Sequence, residues 1–129
     1  MLESLDFVYT PSADPAAEAR QMVEPLGAEH VFSIERFGTR VAMLRLTPQP
    51  PAIVLAEHLE GERPFLVHRV AGLEAAMDEL ERRGWEREPV GGFPYGPLCA
   101  FTVAGGHRFG IYELTRPEVG EQIAGRFDF

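Results

Sequence analysis

Residues 65–77, FLVHRVAGLEAAM, repeat the pattern of residues 7–19, FVYTPSADPAAEA, and this repeat decides the fold. In each copy a short apolar run leads through a loop into residues that favour a helix. Two further pairs follow in the same order, residues 37–38 with 95–96 and residues 53–57 with 109–113. All pairs lie about 56 to 58 positions apart, the length of one supersecondary unit. The chain is therefore predicted to contain two similar modules.

Hydrophobic periodicity and end signals give each module the order β-α-β-β-β. Asp14 is suited to cap a helix that has Pro15 in its first turn and Gly27 after its end. The strand at 86–94 is expected to be poor, because Pro89 and the glycines after it interrupt the pattern. The predicted helices span residues 15–26 and 73–84, and the predicted strands span residues 5–10, 28–37, 40–46, 52–58, 65–70, 86–94, 98–103 and 108–114.

A length of 129 residues is consistent with a single domain. We expect modules at about residues 1–60 and 61–115, followed by a C-terminal tail. The tail has weak periodicity, but Phe127 and Phe129 indicate that it packs against something, such as a neighbouring subunit.

Composition excludes several classes of function. The formal net charge of -8 argues against nucleic-acid binding, which depends on neutralising phosphates with basic side chains. No segment has the ~20 apolar residues needed to span a bilayer, and the N-terminus lacks a secretory signal. All 12 basic residues are Arg, so chemistry through a lysine Schiff base is excluded. With Cys99 as the single cysteine, the chain is predicted to be cytoplasmic.

Three segments resemble the vicinal oxygen chelate superfamily, which includes glyoxalase I, the fosfomycin- and bleomycin-resistance proteins and the extradiol dioxygenases. The segments are LDFV at 5–8, where relatives often read LDHV, RVAGLEAA at 69–76, and GGHRFGIYE at 105–113, which is close to DGHRIELYE. The resemblance covers nearly the whole chain. It implies an α+β fold of two tandem βαβββ modules, whose curled mixed sheets surround a shared cleft with the helices outside.

The resemblance also identifies the positions where metal-using relatives hold a divalent ion. One ligand comes from the first strand and one from the last strand of each module. In this sequence these positions fall on Phe7, Val54, Phe65 and Gly110. None of these side chains can bind a metal ion, which requires imidazole, carboxylate or thiolate groups. We therefore expect no metal cofactor.

A one-residue register slip would change which side chains face the cleft. It would bring Glu57 or His58 close to the Val54 position and His68 close to the Phe65 position. Metal binding through such non-standard ligands is therefore retained as an alternative.

Further candidate ligand-binding residues share a strand face with these four positions or lie in a Gly- and Pro-rich loop over the cleft. They are Tyr9, His58, Val67, Arg69, Phe93, Tyr95, Arg108 and Tyr112. Some of them have a plain structural alternative. The tyrosines Tyr9 and Tyr112 are equally suited to a half-buried core, and Arg69 to a salt bridge.

The leading functional hypothesis is a protein that binds a small, partly apolar molecule in a metal-free cleft, similar to the drug-sequestering members of the superfamily. The alternative is a metal-dependent lyase, isomerase or dioxygenase. A third hypothesis is a subunit whose cleft has degenerated and whose role is association. The resemblance and the aromatic tail together lead us to expect a homodimer.

Overall fold

The computed structural model describes residues 1–129 and contains the order β-α-β-β-β twice. The first module consists of β1 (Leu2–Pro11), α1 (Pro15–Leu26), β2 (Glu29–Arg36), β3 (Thr39–Arg45) and β4 (Ala52–Ala56). The second module consists of β5 (Phe65–Val70), α2 (Leu73–Arg82), β6 (Val90–Gly91), β7 (Leu98–Val103) and β8 (His107–Glu113). The tail contains a short helix, α3 (Val119–Ile123). None of the helices is long and apolar enough to cross a membrane.

All eight strands form one curled, unclosed mixed sheet in the order β2-β3-β4-β1-β5-β8-β7-β6. The modules meet where β1 and β5 pair antiparallel, with Phe7 opposite Val67 and Tyr9 opposite Phe65. This register relates the two strands by a local pseudo-twofold axis, which exchanges Phe7 with Phe65 and Tyr9 with Val67. The same residues correspond in the sequence repeat. The predicted α+β fold of paired βαβββ modules is confirmed.

The two faces of the sheet carry different cores. On the helix side, α1 packs on a cluster that includes Leu44 and Leu55, and α2 packs on a cluster that includes Ile111 and Cys99. The opposite face carries the largest cluster, which includes Phe7. The helices therefore cover one side only, and the other side forms the cleft.

Strand β6 is much shorter than the predicted strand at 86–94, which is wrong in extent. Only Val90 and Gly91 pair with β7, because Pro89 offers no backbone donor and the glycines favour a turn. The chain instead continues as a loop, residues 91–97, which we call the flap. The flap folds over the cleft and places the buried Phe93 inside it.

The C-terminal tail packs against the first module of its own chain. The Ser33 N–H donates to Arg126 O at 2.8 Å, and the Asp128 N–H donates to Ser33 O at 2.7 Å, so the tail continues the sheet beyond β2. Phe129 packs against the α1 cluster. The aromatic tail thus has a partner within the chain, and it gives no support to a contact with a neighbouring subunit.

Candidate functional site

A β-bulge shapes the centre of the cleft. The register of β1 against β5 shifts between Leu5 and Phe7, so that Asp6 is an extra residue in β1. Asp6 consequently lies on the same side as Phe7, and its Oδ2 accepts a hydrogen bond from the Tyr112 hydroxyl at 2.5 Å. The bulge thus brings a carboxylate into a face that strand alternation would have left apolar.

Aromatic rings fill the middle of the concave face. The Phe7 ring centroid lies 5.4 Å from that of Phe93, 5.2 Å from that of Tyr95 and 5.7 Å from that of Tyr112. Tyr9 extends the group, with its ring 5.9 Å from Phe93. Each such pair adds about 1 kcal/mol to the stability gained from burial. The rings divide the cleft into two cavities.

The first cavity, which we call the hairpin cavity, has a volume of about 350 Å³ and lies between the flap and the hairpin of β2 and β3. Its size is within the range of small-molecule sites. The rim includes Arg36 and the fully exposed ring of Phe37. Its apolar wall consists of Phe32, Ile34, Val41, Met43 and Val54, together with flap residues.

Three polar side chains meet at one end of the hairpin cavity. The Tyr9 hydroxyl lies 3.1 Å from His58 Nε2, and the Thr39 hydroxyl lies 3.3 Å from His58 Nδ1. In either neutral tautomer of the His58 ring, one nitrogen donates to its hydroxyl partner and the other nitrogen accepts from the second hydroxyl. Burial raises the pKa of Tyr9 to about 12, so its phenol is neutral. The hydroxyl that accepts from His58 therefore keeps its own O–H for a ligand.

The flap is fastened by the segment that follows β8. Arg116 donates from Nη2 to Phe93 O at 2.7 Å and from Nε to Pro94 O at 2.9 Å. Its backbone N–H donates to Tyr95 O at 3.0 Å. Both flap rings line the hairpin cavity, as the sequence predicted for this loop.

The second cavity, which we call the tail cavity, has a volume of about 500 Å³ and lies between the strands and the C-terminal tail. It is more polar than the hairpin cavity. Tyr95 lines both cavities and separates them. The charged residues of the tail cavity are Asp6, Arg45, Arg69 and Glu121.

The structure separates the predicted site residues into three groups. The hairpin cavity is lined by Tyr9, Val54, His58, Phe93 and Tyr95. The tail cavity is lined by Phe7, Arg69, Tyr95 and Tyr112. Neither cavity is lined by Phe65, Val67, Arg108 or Gly110.

The last group requires a correction for two residues that we expected in the cleft. A Cβ on Gly110 would lie 3.1 Å from Cγ2 of the fully buried Val67, so the missing side chain makes room for Val67 and not for a ligand. Arg108 donates from Nη1 to Glu60 O and Arg63 O, both at 2.8 Å, and its guanidinium lies 3.9 Å from the Phe65 ring centroid. It fixes the connection between the modules and offers no anion contact in the cleft.

The residues present do not fit a divalent metal ion of the kind that related proteins hold. Phe7, Val54, Phe65 and Gly110 have no side-chain donor atom for a metal. Nowhere in the chain do three or more His, Cys, Asp or Glu side chains come together in a suitable group. The cleft does contain His58, Asp6 and Glu121, but these side chains belong to no group of three that could hold an ion.

Sequence reasoning missed one wall of the hairpin cavity and the bulged carboxylate. Ile34 and Val41 pair across the hairpin, and Met43 pairs with Val54. Side chains alternate between the two faces of β2 and β3, so the residues that share the face of Val54 could have been identified from the sequence. Asp6 had no such signal, because an extra residue in a strand reverses the alternation locally.

No protein-family model matches the chain, and no curated protein matches it. Among solved structures, methylmalonyl-CoA epimerase from Mycobacterium tuberculosis is similar with a TM-score of 0.73 and 21% identity, over 89% of this chain and 90% of that chain. A hypothetical protein from Bacillus halodurans is similar with a TM-score of 0.72 and 18% identity, over 88% and 95%.

A Streptomyces coelicolor methylmalonyl-CoA epimerase variant in complex with 2-nitronate-propionyl-CoA is also similar. Its TM-score is 0.67 and its identity 17%, over 90% of this chain and 100% of that chain. At these identities the likeness concerns the fold. The epimerases are vicinal oxygen chelate proteins. The chain therefore has the vicinal oxygen chelate fold, as its sequence motifs predicted.

Proposed function

We propose that this protein binds a small, partly apolar molecule in the hairpin cavity without a resident metal ion, in the manner of the drug-sequestering members of the superfamily. The observation that carries the proposal is an apolar cavity of about 350 Å³ that ends in the Tyr9–His58–Thr39 group. Such a combination of apolar walls and a few convergent polar atoms is typical of small-molecule sites.

The walls indicate the chemistry of the ligand. Phe93 and Tyr95 offer ring faces and edges to a flat apolar body, and Met43 adapts to its outline. The spare donor at the polar end favours a ligand with an acceptor oxygen there. Burying about 150 Å² of apolar ligand surface contributes roughly 4 kcal/mol, and a neutral hydrogen bond about 1 kcal/mol. Apolar contact is therefore expected to dominate affinity, and the hydrogen bond to orient the ligand.

The alternative is a metal-dependent lyase, isomerase or dioxygenase of the same superfamily, and the likeness to epimerases favours it. Several similar epimerase structures were solved with coenzyme A derivatives, among them 2-nitronate-propionyl-CoA and, in another structure, methylmalonyl-CoA with NH4+. Acyl-CoA compounds thus belong in the ligand panel. Phe7 and Phe65 have no metal-ligating atom, and no three ligating side chains come together, which supports the metal-free proposal over this alternative.

Binding can be tested with 1-naphthol and 1-methylnaphthalene, which differ in one oxygen. Removing the spare O–H, which belongs to Tyr9 or to Thr39 depending on the tautomer of His58, should weaken 1-naphthol about five- to tenfold, the effect of one neutral hydrogen bond, and leave 1-methylnaphthalene unchanged. At least one of Tyr9→Phe and Thr39→Val should therefore show this loss. Val54→Phe should abolish the binding of both, because the larger ring fills the cavity. Thr102→Val removes a hydroxyl from an exposed position outside both cavities and serves as the control.

Calorimetric titration gives the affinities directly. Equal affinity of wild type and Val54→Phe for both compounds would place binding elsewhere and end the proposal. Elemental analysis tests the metal-free part. One Zn, Ni, Fe or Mn ion per chain that survives dialysis, with activity lost on chelation, would establish the enzymatic alternative.

The superfamily resemblance also leads us to propose a cytoplasmic homodimer. Sedimentation equilibrium should give twice the mass of the chain. A monomer at every concentration measured would contradict this part without affecting the proposed cavity.

A further inference from the structure

We propose that the tail cavity is a second binding site, which takes an anionic group, a carboxylate or a phosphate, between Arg69 and Arg45. The site is distinct from the hairpin cavity, because Tyr95 lies between them as a shared wall. It does not depend on the function proposed above.

Arg69 supplies the first reason. Its Nε is buried and has no hydrogen-bond partner, and no other nitrogen of its guanidinium takes part in a hydrogen bond within the chain. The nearest carboxylate oxygens, of Glu3 and Asp6, each lie 3.8 Å from Nε, beyond hydrogen-bond distance. The Arg69 side chain is nevertheless 40% exposed and lines the cavity, so its two Nη groups, which have no hydrogen-bond partner within the chain, can donate to an anion there.

The hydrogen bonds of Asp6 explain why Arg69 forms only a long ion pair with it, at 3.8 Å. Oδ1 of Asp6 accepts from the Ser4 hydroxyl at 2.6 Å, and Oδ2 accepts from the Tyr112 hydroxyl at 2.5 Å. Asp6 is thereby held away from a bidentate pairing with Arg69. The planar guanidinium keeps the donor geometry that matches carboxylate and phosphate oxygens.

Arg45 supplies the second positive charge. It is the last residue of β3, lines the same cavity and makes no ion pair or hydrogen bond within the chain. Burial raises the pKa of Tyr95, and the charge of Arg45 opposes this rise, so the guanidinium acts on the wall of the cavity. The cavity is thus lined by two guanidinium groups that make no hydrogen bond within the chain, an arrangement that favours an anion.

Two acidic residues of the cavity, Asp6 and Glu121, oppose the anion, and Glu121 can be used to test the sign of the ligand's charge. Glu121 belongs to α3 and is exposed where the tail borders the cavity. Its negative charge should weaken the binding of an anion. Glu121→Gln should therefore tighten binding, whereas Arg69→Gln and Arg45→Gln should weaken it. A site for an uncharged ligand would not show this reversal.

The test is a titration of the full-length protein with inorganic phosphate and, separately, with acetate, at constant ionic strength. The guanidinium Nε–H resonances are followed by ¹H–¹⁵N NMR. Saturable binding should shift the Arg69 Nε–H signal, and each of Arg69→Gln and Arg45→Gln should weaken binding about tenfold, the effect of one charge-assisted contact. Glu121→Gln should tighten it about two- to fivefold.

Arg20→Gln is the matched control, because Arg20 is an exposed residue of α1 outside the tail cavity and carries the same charge. Equal weakening by Arg20→Gln would show attraction to net charge only and overturn the proposal, as would the absence of saturation with both anions. Saturation by phosphate alone assigns a phosphate group, and saturation by acetate alone a carboxylate.

Two further measurements distinguish an unfolded variant, or a wrong proposal for the hairpin cavity, from a wrong proposal for the tail cavity. If Arg69→Gln unfolds, the Arg45→Gln and Glu121→Gln effects still decide the matter, since both residues are exposed. Val54→Phe should leave phosphate binding intact while it abolishes naphthol binding, so failure of the hairpin cavity is distinguishable from failure of the tail cavity.

Discussion

The three tyrosines show how single residues set the chemistry of the cleft. Burial is the main cause that raises the pKa of Tyr9, Tyr95 and Tyr112, and for Tyr112 the hydrogen bond to the Asp6 carboxylate raises it further. All three phenols are therefore neutral near pH 7 and act as hydrogen-bond donors. Asp6 is occupied by Ser4 and Tyr112. These groups suit the binding of a ligand better than the removal of a proton from it.

The tyrosines give the protein a predictable response to alkali. An unfolded tyrosine ionises at about pH 10, and the chain has no Lys that would titrate beside it. Because the folded pKa values are raised, the folded state retains protons that the unfolded chain loses. The stability that these groups contribute is complete below about pH 10 and is lost as the pH rises towards 12.

The measurement is the near-ultraviolet phenolate absorbance during a pH titration, with urea unfolding at about pH 9 and about pH 11. We expect little phenolate while the protein is folded, and a lower urea midpoint at the higher pH. Tyr9→Phe should reduce the shift in midpoint. Ordinary ionisation near pH 10 with an unchanged fold would contradict the burial of these groups.

The sequence predicted which side chains face the cleft where side chains alternate regularly along a strand. It did not do so where the alternation is broken. The alternation of side chains along the strands predicted Tyr9, Val54 and His58 on the cleft side, and the structure brings them to one cavity. The bulge at Asp6 and the backbone contacts of Arg108 depend on contacts between distant segments, and the alternation within one strand does not reveal such contacts.

Among the elements, the flap decides how much of the cleft is open. Its rings fill the centre, and Arg116 fastens its backbone. The turn also needs Gly96, whose φ is 154° and where a Cβ would lie 1.8 Å from Glu113 O. The sequence predicted an aromatic loop over the cleft from its Gly and Pro content. It could not show that Gly96 fits against β8, since that contact joins distant parts of the chain.

Two glycine substitutions in the flap test whether its turn requires Gly96. Gly96→Ala should force the flap from its place, lower the free energy of unfolding by about 2 kcal/mol or more and weaken naphthol binding, because a backbone atom occupies the position of the new Cβ. Gly92→Ala, in the same flap, meets no atom within 4 Å and is the control. Urea unfolding and calorimetry measure both effects. Equal stability of the two variants would show that the flap does not hold Gly96 in this turn.

For the whole molecule, the repeat gives a symmetric framework with an asymmetric cleft. Met43 and Ala100 occupy equivalent places opposite Val54 and Gly110, yet only the first module has a cavity at this place. Sequence comparison of the halves predicted the framework correctly and treated their ligand-facing positions as equivalent. The asymmetry arises from packing, because the fully buried Val67 occupies the space beside Gly110.

Because β1 and β5 join the modules into one sheet, we expect the molecule to unfold as a unit. Trp85 packs on Phe101 in the second module and is the only Trp, so its fluorescence reports on that half. Far-ultraviolet circular dichroism reports on both. The two signals should give the same urea midpoint. Separate midpoints would show that the modules unfold independently.

The pairing of the tail with β2 has a consequence for how molecules meet one another. An outermost strand with free N–H and C=O groups invites strands of other molecules to add to it, which is a route to aggregation. Here the Ser33 backbone is engaged by Arg126 and Asp128, and the Glu35 N–H donates to Asp128 Oδ2 at 2.9 Å. At the far end of the sheet, β6 is only two residues long. The β2 end is therefore poorly suited to extending a sheet between molecules, and the proposed homodimer is expected to use side-chain surfaces there instead of strand addition.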